Sequence, residues 1–346
     1  MNILLLASHA VAEYDDLRMF TDLGYDCFAP GGYEVPGQKG EGIRPPLPDA
    51  PQHPDLVARL HEVRSERGEP GPAIDWGKAA LHDDIIDWAD AIIVHHFPEQ
   101  WIGGQWDRIK HKRVIWRTCG QSDPRLEQAM TRYVGEGLQV VRYSPAERRH
   151  FEKVGCLAGE DALIRFGKYP DDYGPWSDWG GYVANLTQDM VMRGEACGLQ
   201  YYLAATDGLD AMPAGKGSEL LPGGIGQLSY VAMLNYLRNA RAYIYTGTRP
   251  ASYPLGLLEA NLSGVPTVVI GKRAWGGEWG GEDLWDMWGA DAGWEKLNDP
   301  TYARKLLKEY LHDPEYARRA GERARLNCIK DHDVAVVGQQ WREFLS

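Results

Sequence analysis

The run from Arg249 to Ile270, Arg-Pro-Ala-Ser-Tyr-Pro-Leu-Gly-Leu-Leu-Glu-Ala-Asn-Leu-Ser-Gly-Val-Pro-Thr-Val-Val-Ile, collects in one stretch the residue types that hold a nucleotide. It reads as loop, helix, tight turn and buried strand. Glu259 falls in the first turns of the helix and Gly264 ends it, where a left-handed cap favours glycine. Pro266 then opens a strand without needing a ladder N–H. A helix N-terminus presents amides and the positive end of a dipole to phosphate. A carboxylate one turn in can accept hydrogen bonds from the vicinal hydroxyls of a ribose. The plainer reading of Glu259 is a carboxylate favoured by the helix dipole.

Leu258-Glu259-Ala260-x-x-x-Gly264-Val265-Pro266-Thr267-Val268-Val269 resembles the signature of retaining GT-B glycosyltransferases of the glycogen-synthase and mannosyltransferase kind. The family pattern has two glutamates flanking a Gly-Phe-Gly-Leu loop. Glu259 matches the second, which in the family binds the donor ribose. The first falls on Ala251, and Ser252-Tyr253-Pro254-Leu255 stands where Gly-Phe-Gly-Leu would be. Gln188-x4-Arg193-Gly194, after a strand, is similar to the family's Arg-x4-Lys-Gly, whose two cations hold the donor diphosphate. Arg193 matches the lysine. Gln188, or Thr187 if the register slips by one, occupies the place of the other cation, so the charge falls chiefly on Arg193, with Lys168 or Arg165 as helpers. Pro222-Gly223-Gly224-Ile225 matches the glycine turn beside the nucleobase, and Val334–Leu345 resembles the C-terminal helix that crosses back onto the first domain.

The resemblance implies transfer of a sugar from a UDP- or GDP-sugar to a hydroxyl acceptor with retention of configuration. It implies no cofactor beyond that donor and no metal. Arg193 and His96 are then the catalytic candidates, His96 lying near the transferred sugar. Donor contacts fall to Glu259, Ser252, Tyr253, Leu255, Gly223, Gly224, Gln188 and Thr187, and the acceptor or sugar side to His9, His95, Gln121 and Ser122. Adjacent strand residues such as His95 and His96 point to opposite faces, which argues against a shared metal. A helix cap by Ser122 or Asp123 is as good a reading as ligand contact. The acceptor is a glycan, a small molecule, or a hydroxymethylated base in phage DNA. For the last, Lys110, Lys112, Arg113, Arg117 and the 31–75 stretch are the contacts, and the chain reads as a divergent viral or environmental branch. A sugar-nucleotide epimerase and a non-catalytic carbohydrate-binding protein remain as other classes.

These residues must be carried by two α/β halves. Asn2–Ala7, Asp26–Ala29, Ala91–His95, Arg113–Arg117 and Gln139–Arg142 read as strands, with helices over Asp15–Leu23 and Asp83–Ala89 between them. Such alternation implies a parallel sheet covered on both faces. A second series follows a Pro/Gly/Asp/Trp-rich stretch: strands Tyr182–Leu186, Gln200–Ala205, Tyr243–Thr246 and Pro266–Ile270, with helices Met190–Cys197, Tyr230–Asn239 and Gly256–Ser263. Helices Thr301–His312 and Pro314–Lys330 and the amphipathic Val334–Leu345 close the chain. The expected architecture is GT-B, two doubly wound Rossmann-like domains facing a central cleft at the carboxyl ends of their strands. The first spans 1–167 on the acceptor side, with a linker at 168–181. The donor domain follows at 182–330, and 331–346 returns to the first. The repeat Trp275-Gly-Gly-Glu-Trp279-Gly-Gly-Glu282, followed by Trp285, Trp288 and Trp294, reads either as a stacking lid or as aromatic cover for a loop-rich corner.

Composition narrows the field. A formal net charge of −12 over 346 residues argues against a broad nucleic-acid surface. Forty glycines, 13 Trp and 18 Tyr against 6 Phe suit carbohydrate or nucleotide sites. Five scattered cysteines without a CxxC pair point to a reducing, cytoplasmic location. No stretch approaches the ~18 apolar residues of a membrane span, and neither GxGxxG after the first strand nor GxxxxGK[ST] occurs.

Overall fold

The computed structural model describes residues 1–7, 10–30, 44–45, 47, 53–59, 81–95, 98–120, 123–177, 179–249, 253–275, 287–288 and 294–346. The chain forms two compact units, Met1–Lys168 together with Val334–Ser346, and Tyr169–Asp333.

The first unit is built on six parallel strands in the order β2-β1-β3-β4-β5-β6. These are β1 (Asn2–Leu6), β2 (Asp26–Phe28), β3 (Ala91–His95), β4 (Arg113–Arg117), β5 (Gln139–Arg142) and β6 (Ala162–Leu163). Every residue of β3 is buried, because successive side chains enter two separate cores. Leu4, Leu6, Ile92, Val94, Val114, Trp116 and Val140 face one layer, which holds Ile85, Ile102, Ile109 and Met130 from four helices. Ile3, Leu5, Ile93, Ile115 and Val141 face the other, with Leu17, Phe20, Val337 and Trp341. Burial on both faces is why these strands read as unbroken apolar runs.

Val334–Leu345 is a helix of this first unit. Trp341 is fully buried and meets the Phe20 ring edge-on at 5.1 Å. The Val334 amide donates to the Lys168 carbonyl at 2.9 Å. At the other end the Arg113 guanidinium donates to the carbonyls of Phe344 (2.6 Å) and Leu345 (2.9 Å), a cation on the negative end of the helix dipole.

The second unit has four parallel strands in the order β10-β9-β7-β8: β7 (Val183–Leu186), β8 (Ala211–Ala214), β9 (Ala242–Tyr245) and β10 (Thr267–Val269). Two sequence expectations are corrected here. Gln200–Ala205 is not a strand but part of the helix Leu199–Thr206. Its Tyr-Tyr-Leu-Ala-Ala run is apolar all round, and such a run does not distinguish strand from helix by period. The helix is anchored by Arg304, whose Nε donates to the Ala204 carbonyl at 2.9 Å. The real second strand is β8, which contains Pro213. Proline is admitted because β8 is an edge strand, met on its outer side by loop residues such as Ile225, whose amide donates to the Pro213 carbonyl at 3.0 Å.

In both sheets the chain leaves the first strand for one neighbour and then returns to its other side. This reversal lies between β1 and β3 in the first unit and between β7 and β9 in the second, the points where open α/β sheets bind ligands at the strands' carboxyl ends.

Candidate functional site

At the carboxyl rim of the second sheet, β7 runs through Thr187-Gln188-Asp189 into the short helix Met190–Arg193. Asp189 is the one described non-glycine residue with positive φ, 51°, a backbone state that costs an L-residue about 1–2 kcal/mol. It is held there from both sides: its amide donates to the Lys216 carbonyl (2.7 Å) and its own carbonyl accepts the Arg193 amide (2.9 Å). Arg193 ends the helix with its side chain exposed, and among the described residues no hydrogen bond or ion pair engages its guanidinium. The 3-10 turn Gly194–Cys197 is fastened to the loop after β9. Thr246 Oγ1 donates to the Cys197 carbonyl (2.7 Å), and Arg249 donates to the carbonyls of Ala196 and Glu195 (2.6 and 2.7 Å). Burial raises the Cys197 thiol pKa, opposed by the nearby Arg193 charge, so Cys197 is a packed thiol rather than a nucleophile.

Helix Leu255–Leu262 begins at the same rim. Gly256 sits 3.6 Å, at its missing Cβ, from the Leu186 carbonyl oxygen that ends β7. The expectation of several unengaged amides at this N-terminus is corrected. The Leu255 amide donates to the Tyr253 carbonyl, and those of Leu257 and Leu258 to the Pro254 carbonyl. Tyr253 turns inward rather than toward a ligand. It is buried, with its hydroxyl 2.9 Å from Nδ1 of the fully buried His332. Trp288 packs edge-on to that same histidine and donates to Asp331 at 3.0 Å, so this member of the Trp/Gly series covers the core. Glu259 lies on the second helical turn, 5% exposed, and Oε1 accepts the Tyr173 hydroxyl at 3.3 Å.

Thr187 is buried and Gln188 exposed. The Gln188 side chain reaches the next turn, its Oε1 accepting the Lys216 amide at 2.7 Å. Gly223 and Gly224 have a packing explanation: a Cβ would collide with the Ala211 carbonyl at the first position and the Ser218 carbonyl at the second. Their turn lies against Ala211, at the amino end of β8, beside a cavity of about 460 Å³. The turn at the carboxyl end of β8 is Gly215-Lys216-Gly217, with both glycines at positive φ. Sequence reading missed it because β8 itself was missed. Its Gly-x-Gly spacing immediately after a short strand was the available signal.

In the first unit, the strands at the corresponding rim carry buried charge. His95 is fully buried, with Nε2 3.1 Å from Asp16 Oδ2, and Arg117 Nε lies 2.9 Å from the same oxygen. Desolvation lowers the His95 pKa. Burial pushes Asp16 up, but Arg117 and His95 hold it below the usual carboxylate range. Arg117 also donates to the carbonyls of Ile164 and Arg165 and stacks on Phe166 at 4.1 Å. His95 is therefore a core residue rather than a sugar contact, and Arg117 is not a DNA contact. Arg113 is likewise committed to the closing helix. Lys168, expected as a phosphate helper, is fully buried and pairs with Asp15 at 2.6 Å. Lys110 pairs with Asp107 at 2.6 Å, and Lys112 donates to the Asp87 carbonyl at 3.1 Å. Farther along the sheet Arg142 grips Glu127 through two bonds, 2.8 and 2.9 Å, and stands 3.4 Å from Glu147. Desolvation raises Glu147 to about 7.

His9, His96, Gln121, Ser122 and Ser252, most of 31–75, and 276–286 lie outside the described residues. Among the described residues no group of three or more His, Cys, Asp or Glu side chains is placed to hold a metal, and no helix is long and apolar enough to cross a membrane.

Two units with doubly wound parallel sheets of this kind are the GT-B fold. Over its full length the chain is similar to sucrose-phosphate synthase from Thermosynechococcus elongatus, with a TM-score of 0.65, 12% identity and 98% of that chain covered. It is similar to HepE from Anabaena in complex with UDP and glucose, with a TM-score of 0.64, 11% identity and 99% of that chain covered. A glycosyltransferase from Rickettsia africae matches over 100% of this chain and 98% of that one, at 11% identity and a TM-score of 0.61. No protein-family model matches the sequence, and no curated protein sequence does.

Proposed function

We propose that the chain is a retaining glycosyltransferase that moves a sugar from a nucleotide-diphosphate donor, UDP- or GDP-linked, to a hydroxyl acceptor. One observation carries the reading: the exposed Arg193 guanidinium stands at the carboxyl rim of the second sheet, beside the reversal between β7 and β9. HepE, whose fold this chain shares, has been seen with UDP-glucose.

In this reading Arg193 neutralises the charge that grows on the departing diphosphate, the term that dominates such reactions. The acceptor oxygen approaches the anomeric carbon on the face the diphosphate leaves. The acceptor proton passes to a leaving phosphate oxygen, so no protein nucleophile and no metal is required. Glu259 takes the ribose hydroxyls, with Tyr173 exchanging its contact for the sugar. The acceptor is a glycan or small molecule. A DNA acceptor is the weaker choice, because Arg113 and Arg117 are engaged inside the protein.

The test is thermal stabilisation by UDP, GDP and their sugars, followed by transfer assays of the best donor onto glycans and onto hydroxymethylated DNA. A true donor raises the melting temperature by mass action. A chain indifferent to every nucleotide overturns the reading. Sugar rearrangement without acceptor would make it an epimerase, and glycan affinity without nucleotide dependence a binding protein.

A further inference from the structure

The family-like motif after β7 has one cation where two are expected, since Gln188 replaces the first. The structure shows what Gln188 does instead: its Oε1 accepts the Lys216 amide (2.7 Å) while the neighbouring Asp189 amide donates to the Lys216 carbonyl (2.7 Å). This pair of bonds fixes both backbone polar groups of a single residue on the adjacent turn. The residues flanking it have no choice of side chain. Gly215 and Gly217 are at φ 117° and 76°, and a Cβ on Gly215 would stand 2.8 Å from the Thr187 carbonyl oxygen. Lys216 is thus the only side chain this turn presents. It is 74% exposed and its Nζ lies 3.7 Å from Asp189 Oδ2. Asp189 opens the short helix that ends in Arg193. The left-handed backbone at Asp189 is the local strain that this double clasp maintains, and such strain concentrates at functional turns.

We propose that Lys216 supplies the second positive charge on the donor's diphosphate, replacing the cation lost at position 188, and that Gln188 is a positioning residue that clasps the Lys216 turn. This rests on the nucleotide-sugar reading above. The loose 3.7 Å approach to Asp189 suits the role, because phosphate competes for Nζ without a tight ion pair to break.

Dissociation constants of UDP, UMP, GDP and GMP for the full chain, read by calorimetry, test it. For whichever base binds, Lys216→Ala weakens the diphosphate about 10- to 100-fold, the range for losing one charged hydrogen bond, and weakens the monophosphate less. The dependence of affinity on salt becomes shallower, and Lys216→Arg restores most of the loss. Gln188→Ala weakens the diphosphate only while Lys216 is present, so the double variant is non-additive. Ligand-free melting temperatures separate binding loss from unfolding. Diphosphate binding left unchanged by Lys216→Ala, or an equal loss for mono- and diphosphate, overturns this assignment alone. A wild-type chain that binds neither UDP nor GDP overturns the nucleotide-sugar reading and this with it.

Discussion

Arg117 ends a parallel strand, Arg193 ends the short helix that follows one, and both read from the sequence as ligand residues. Their surroundings separate them. Arg117 is fully buried, ion-paired to Asp16 and stacked on Phe166, whereas Arg193 is exposed and meets no described partner. In the proposed reading, where Arg193 meets transition-state charge, Arg193→Ala lowers kcat about 100-fold or more with a smaller change in donor KM. Steady-state kinetics with the preferred donor check this, and a wild-type kcat would remove Arg193 from the reaction. Glu259→Gln should instead raise donor KM; an unchanged KM would leave Glu259 a structural carboxylate bonded to Tyr173. The cluster of Arg142, Glu127 and Glu147, with the Thr118 hydroxyl donating to Glu147 Oε2 at 2.6 Å, makes a prediction about pH. Desolvation lifts Glu147 from 4.5 to about 7 in the folded protein. The folded state therefore binds the proton more tightly, and this contribution to stability is present in full below about pH 4.5 and is lost as pH rises through about 7. Glu147→Gln should flatten that part of the stability–pH profile, measured by chemical denaturation between pH 5 and 8. A slope identical to wild type would assign the dependence elsewhere.

Elements are held in place by contacts that tolerate no added atom. On helix Pro314–His332, Gly321 lies against the turn that ends helix Leu255–Leu262, where a Cβ would collide with the Gly264 carbonyl oxygen. Gly321→Ala should cost the second unit roughly 1–3 kcal/mol, the usual penalty of overpacking, and displace the helix that carries Glu259. Denaturant unfolding measures the first effect and donor KM the second. A variant of wild-type stability would show that the two helices are free to separate. Secondary structure was legible where period or flanking residues were decisive. Asp299, Asp313 and Ser229 cap helices as their types predict, and β3 and β4 start and end where their apolar runs do. It was illegible over Leu199–Ala214, where an apolar helix imitates a strand and a strand contains proline.

At the scale of the whole molecule, the last helix belongs to the first unit although the chain passes through all of the second before reaching it. Trp341, Val337 and Leu345 complete the core layer of Leu5, Phe20 and Ile93. Removing Val334–Ser346 should therefore strip protection from β1, β3 and β4 and leave β7 to β10 protected, as read by amide hydrogen exchange. Trp341→Ala should give a milder form of the same result, costing about 3–5 kcal/mol. Equal loss in both units would contradict the assignment of this helix.

The sequence by itself determined the class of architecture. Strand–helix alternation and doubly buried apolar runs are local signals, readable because each strand's two faces must both be covered. The helix through Leu258-Glu259-Ala260, the Gly264 turn and the strand after Pro266 were legible for the same reason, as short patterns whose spacing is fixed along one helix or one turn. Only the tertiary structure decided which charges face inward. His95, Arg117 and Lys168 look like ligands in the chain and are core ion pairs in the fold, because burial depends on residues distant in sequence. It also brought Lys216 beside Asp189, a contact between turns after two different strands that no linear spacing encodes.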